Sequence, residues 1–151
     1  MPDSTATRAS TWLPLLQEAL AQEGRFRWPL RGNSMWPTLP IECEIELEPL
    51  TSPARLGELI VFVLDDTLIA HRLVRRTNAD WITQGDHRRG PDRPVPPNRV
   101  LGRVVAAYQN GRRCWPRRCE SLWRVLWLTR YQVLRVARSI WWRARKVMVR
   151  G

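Results

Sequence analysis

Glu42-Cys43-Glu44-Ile45-Glu46-Leu47-Glu48 alternates acidic and apolar residues at every step. A period of two places Cys43, Ile45 and Leu47 on one face and the four glutamates on the other, the pattern of a strand with one face buried and one in water. The flanking sequence keeps the same character. Residues 26–30 read as extended before it, and residues 59–64, 68–74, 81–83 and 100–108 follow as short runs rich in Val, Ile and Leu. Pro53, Gly57, Asp65-Asp66, Asn78 and the proline-rich 91–97 stretch punctuate them. The expectation is a mainly β domain, mostly antiparallel, without internal repeats.

The 151 residues suffice for one domain with a real core, since chains of about 150 residues bury roughly two-thirds of the surface they expose when unfolded. Outside the β region the period changes. Ser10 or Thr11 is placed to cap a short helix that runs to Glu23, carries Trp12, Leu13, Leu15, Leu16, Ala19 and Leu20, and stops at Gly24. Charge then divides the chain. Through Gly111 there are 13 arginines and 13 carboxylates, whereas residues 112–151 carry 12 basic side chains against Glu120 alone, so the net charge of +11 belongs to the tail. Three segments are expected: 1–24, polar with a short helix; 25–111, the β domain; and 112–151, a basic, Trp-rich tail.

From Ser121 onward a 100° wheel gathers Leu122, Val125, Leu126, Val133, Val136, Ile140, Trp141, Ala144 and Val147 on one arc, with Arg124, Arg135, Arg138, Lys146 and Arg150 opposite. This is a long basic amphipathic helix. Spanning a bilayer would bury Arg124, Arg130, Arg135 and Arg138 at about 2.5 to 3.5 kcal/mol each near the centre, so lying in the interface is cheaper. Trp123, Trp127, Trp141 and Trp142, with Arg135 and Arg138, suit an anionic membrane surface. Residues 1–24 lack the pattern of a secretory signal, and no transmembrane helix is evident. Cys43, Cys114 and Cys119 form no CxxC motif, and His71 and His87 are the only imidazoles. Neither a zinc site nor a disulfide framework is expected, and no cofactor is implied.

The chemistry centres on Gly32-Asn33-Ser34-Met35-Trp36-Pro37-Thr38-Leu39, a turn between extended segments. A serine hydroxyl attacks at neutral pH only when a base takes its proton, and a neutral imidazole can take it and return it to a leaving amine. His71, in an apolar run, is the well-placed candidate. A carboxylate must then fix the tautomer and stabilise the imidazolium, and Asp86 or Asp92 can supply it; spacing alone does not choose. Singly, each signal also fits an ordinary turn or a surface ion pair, and their joint order carries the weight.

Gly32-x-Ser34-Met35-x-Pro37-Thr38-Leu39, Gly57-Glu58-x3-Phe62, His71-Arg72, Gly85-Asp86-x5-Asp92 and Gly102-Arg103-Val104 resemble the successive boxes of type I signal peptidases, in the superfamily that also holds the self-cleaving LexA-type repressors. The likeness covers roughly residues 26–108. Histidine at position 71, where the commonest bacterial enzymes use lysine, is similar to the endoplasmic-reticulum, archaeal and sporulation-type branch. In that branch the acid lies six residues beyond the Asp of the Gly-Asp box, which maps onto Asp92. The resemblance implies a signal-peptidase-like antiparallel β fold in which Ser34 attacks a peptide carbonyl, His71 is base then acid, and Asp92 orients it. The Ser34 amide, with a group from Gly32 or Asn33, would form the oxyanion hole, worth about 3 to 4 kcal/mol per donor; Met35 and Asp86 would support the site. Pro40-Ile41-Glu42 and His87-Arg88-Arg89 depart from the usual boxes, and the family's N-terminal anchor is not seen.

The expected function is a serine endopeptidase that removes a leader from a protein or peptide precursor, held peripherally at the bacterial cytoplasmic membrane by the tail, on a side the sequence leaves open. A dedicated substrate, such as the leader of a modified secreted peptide, stands beside general secretory processing. The alternative is a catalytically silent module whose basic tail engages nucleic acid or an acidic partner. No helix-turn-helix supports it, and a phosphate-binding stripe would leave the Trp/Leu face uncovered.

Overall fold

The computed structural model describes the backbone of residues 9–116 and 120–148 and the side chains of 13–116, 121, 122 and 124–137. It contains helix α1 (Ala9–Glu23), strands β1 (Phe26–Arg31), β2 (Glu42–Glu48), β3 (Leu59–Leu64), β4 (Thr67–Arg76), β5 (Trp81–Gln84), β6 (Val100–Gln109) and β7 (Arg112–Trp115), and helix α2 (Glu120–Met148). The seven strands form one antiparallel sheet in the order β1-β2-β6-β3-β4-β5, with β7 added to β6. The mainly β reading with a short N-terminal and a long C-terminal helix therefore holds.

Local chemistry sets the hairpins. Asp65 and Asp66 both take positive φ, 48° and 57°, in the two-residue turn joining β3 to β4, and Asn110 and Gly111 do the same at 51° and 74° between β6 and β7. Two consecutive left-handed residues match the twist of the strands they join, and Asp, Asn and Gly tolerate that region best. The second hairpin carries the sheet beyond Gly111, where the charge division suggested the body's edge. Trp115 at its end is buried in the main core.

Two apolar clusters lie on the sheet's faces. The larger gathers Ile45, Leu47, Leu59, Val61, Val63, Leu101 and Val104, and is closed by Leu13 and Leu20 of α1 and by Met35 and Leu39 of the turn after β1. The smaller holds Ile60, Phe62, Leu73, Trp81, Val95 and Val100. Along β2 the alternation holds throughout, with Cys43, Ile45 and Leu47 all in the larger cluster, and Glu46, on the other face opposite Arg27, is buried as well. Burial alone would raise its carboxyl pKa. The Tyr108 hydroxyl (3.2 Å) and Arg25 (2.9 Å), with Arg27, outweigh that and hold it below its ordinary value.

Helix α2 meets the body through Tyr131, which is buried with Val74 and Ile82. Among the described residues no helix is long and apolar enough to cross a membrane.

Candidate active site

Ser34 sits in the 32–41 loop between β1 and β2. Gly32 opens the loop at φ +109° and donates its amide to the Ile41 carbonyl (3.0 Å), while the Trp36 amide bonds Asn33 O (3.1 Å) and the Leu39 amide bonds Met35 O (3.0 Å). Met35, 2% exposed, plugs the loop into the main core. Ser34 itself is half-buried, and its carbonyl accepts the His87 amide at 2.8 Å. The Gly32 amide is thus committed to closing the loop and is not available to an oxyanion. The Ser34 amide makes no backbone hydrogen bond among the described residues.

His71 is 3% exposed on β4, with the Phe62 ring at 6.2 Å in an edge-on arrangement. Its Nδ1 lies 2.6 Å from Asp92 Oδ2. The same oxygen accepts the Thr83 hydroxyl at 2.7 Å, and the Asp92 amide donates to the Thr83 carbonyl at 2.8 Å, so Thr83 at the end of β5 holds the acid by two contacts. With Nδ1 engaged, Nε2 faces the serine loop. A Cβ on Gly85 would lie 2.7 Å from the Ser34 carbonyl oxygen and 2.9 Å from His71 Nε2. The serine backbone and the imidazole therefore face each other across Gly85, and any larger residue there would wedge them apart.

Asp86 does something else. Its two oxygens receive Arg72 Nε at 2.9 Å and Arg72 Nη2 at 2.7 Å in a bidentate pair, and Oδ2 also accepts the Thr38 hydroxyl. Arg72 Nη1 donates to the Gly57 carbonyl at 2.8 Å. Arg72 is fully buried and Asp86 is 2% exposed. One guanidinium thus ties together the serine loop through Thr38, the turn before β3, and the loop that begins at Gly85. Because His71 and Arg72 are consecutive on a strand, their side chains leave opposite faces, and the two acids separate accordingly: Asp92 meets the imidazole and Asp86 the guanidinium.

Sequence reasoning singled out Ser34, His71, Asp92, Asp86, Gly32, Asn33 and Met35, and the fold brings all seven into this region. It did not select Thr38, Thr83 or Gly85. The Pro37-Thr38 and Gly85-Asp86 boxes signalled two of these; nothing local marked Thr83. The tail divides. Trp127 and Arg135 line cavities against the β domain, beside Asp86 and Gln84 respectively, because they share the inner face of α2 with Tyr131. They do not lie on its outer, apolar face. The side chains of Trp123, Arg138, Trp141 and Trp142, and all of Cys119, lie outside the described residues. Cys43 is buried, and burial, reinforced by nearby Cys114, pushes its thiol pKa up to about 11. A thiol so placed is no nucleophile at neutral pH. No family model matches this chain, and no curated protein matches it.

Proposed function

We propose that the protein is a serine endopeptidase that cleaves a leader or signal segment from a protein or peptide precursor. The observation that carries this reading is the Asp92–His71 pair at 2.6 Å, with Nε2 turned toward the Ser34 loop across Gly85. Asp92 accepts the Nδ1 proton, which leaves Nε2 unprotonated and able to accept. As Ser34 Oγ attacks the scissile carbonyl, its proton passes to His71 Nε2, and the imidazolium formed is stabilised by Asp92. Collapse of the tetrahedral adduct breaks the C–N bond, and His71 returns the proton to the departing amine. Water repeats the cycle and releases the acyl half. The Ser34 amide, uncommitted to the backbone, is the donor for the oxyanion. The same reading puts the enzyme peripherally at an anionic membrane surface, supported by the excess of basic residues in the tail.

Incubation with a proteome-derived peptide library, read by mass spectrometry of new termini, tests the activity. The full chain is expected to cut a defined set of peptides. Ser34→Ala and His71→Ala, folded by circular dichroism, are expected to lose cleavage by roughly four orders of magnitude or more. Undiminished cutting by folded Ser34→Ala overturns the proposal.

A further inference from the structure

His87-Arg88-Arg89 follows the Gly85-Asp86 turn, and its two arginines go to different places. Arg89 lines the cavity against α2 with Tyr131 and Arg135. Arg88 passes over Gly85 instead: a Cβ on that glycine would lie 2.9 Å from Arg88 Cγ, 2.9 Å from His71 Nε2 and 2.7 Å from the Ser34 carbonyl oxygen. The stem of an arginine therefore stands where the imidazole and the serine loop meet. Main-chain bonds hold it there. The Arg88 amide donates to the Gly85 carbonyl and Gln84 Nε2 donates to the Arg88 carbonyl, each at 2.9 Å, and Gln84 is itself buried. One residue earlier, the His87 amide holds the Ser34 carbonyl at 2.8 Å.

Arg88 is exposed and makes no ion pair among the described residues. The two acids of the site are already engaged, Asp92 by His71 and Thr83, Asp86 by Arg72 and Thr38. The site thus offers a cation and no countercharge. A peptide that brings its backbone between Ser34 and His71 Nε2 must pass this stem, so the guanidinium beyond it acts on whatever side chain lies alongside. A carboxylate there gains the paired contact that a guanidinium favours, whereas an ammonium meets repulsion, and selectivity is the difference between the two. The preference is confined in range. An extended peptide advances roughly 3.3 Å per residue, so the side chain concerned belongs to one of about three residues on either side of the bond held at the site.

We infer that Arg88 makes the site selective for peptides that carry an aspartate or glutamate within about three residues of the bond to be cut. Cutting rests on the function proposed above; the acid preference in binding does not. Full-length wild type, Arg88→Gln and Arg88→Glu, each folded by circular dichroism, digest a synthetic peptide library amidated at its C termini, so that side chains are its only carboxylates. New termini are read by mass spectrometry. Wild type is expected to cut acid-bearing sequences several-fold more often than their share of the library, and added salt to shrink that preference. Arg88→Gln is expected to lose it, and Arg88→Glu to shift the cuts toward lysine and arginine. Cleavage without acid enrichment, or with the same enrichment in Arg88→Glu, overturns the inference. Where wild type cuts nothing, retention decides: the same library is passed over immobilised full chains carrying Ser34→Ala, with and without Arg88→Glu. The basic tail attracts acidic peptides in both, so the quantity read is the difference between them. Retention of acidic peptides several-fold lower with Arg88→Glu would sink the peptidase reading and leave this one standing; equal retention overturns this one as well.

Discussion

His71 and Arg72 are neighbours on one strand, and each holds a different aspartate. The imidazole takes Asp92, which is partly open to solvent and held by Thr83; the guanidinium takes Asp86, sealed with it in the interior. The two acids should therefore fail differently. Asp92→Asn keeps the shape but offers Nδ1 an amide in place of a charge, so kcat/KM is expected to fall by roughly four orders of magnitude with little change in melting temperature. Asp86→Asn strips the countercharge from a buried arginine and is expected to cost about 3 to 5 kcal/mol of stability. Any activity loss there should follow the folded fraction. Peptide-cleavage kinetics alongside denaturant melts of both variants check this, and a stable but inactive Asp86→Asn protein would exchange the two roles. The sequence had left both aspartates open on spacing alone; what separates them is the alternation of side chains along β4, which acts only once the strand is paired and its two faces have different surroundings.

Among the elements, β2 was the most legible, and the depth of burial on its outer face was what the pattern did not reach. Its alternation foretold the strand end to end, because apolar side chains at every second residue have one way to leave water. It also placed Glu46 outward, and there the carboxylate is buried among Arg25, Arg27 and Tyr108. Alternation tells which face a residue takes and not which long side chains of neighbouring strands cover it there. The consequence is measurable with acid. A carboxyl held below its ordinary value near 4.5 contributes stability that is fully present above that pH and is lost as pH falls through the lowered folded value. Wild type should accordingly exceed Glu46→Gln in denaturant stability at neutral pH, and the gap should close progressively below about pH 4.5. A gap independent of pH would mean that Glu46 acts through shape and not charge. The tail helix was legible as amphipathic, yet its wheel could not say which face the body would take. The body takes the face of Arg124, Trp127 and Tyr131: Tyr131 packs on Val74 and Ile82, Trp127 lies beside the Arg72–Asp86 pair, and Arg124 lies over Gly57.

At the level of the molecule, the question is where the sheet domain ends. Charge changes at Gly111, but structure does not. Asn110-Gly111 is the strongest short hairpin signal in the chain, and it was overshadowed by the onset of basic residues, because Arg112 and Arg113 are surface members of a strand whose last residue, Trp115, is core. Hydrophobic burial and net charge thus draw the boundary four residues apart. Two truncations distinguish them. A chain ending at Pro116 keeps β7 paired with β6 and Trp115 under the sheet, and is expected to unfold cooperatively without α2. A chain ending at Gly111 opens the space that Trp115 fills and unpairs the β6 edge. Removing a buried tryptophan alone costs about 3 to 5 kcal/mol, a large share of the roughly 5 to 15 kcal/mol that holds a domain together. Its thermal midpoint should lie more than about 10 °C below that of the longer chain. Matching midpoints would show that β7 belongs energetically to the tail. A Pro116 chain that fails to fold would make α2 an obligatory part of the domain, with its inner face serving the core as well as the 85–92 loop.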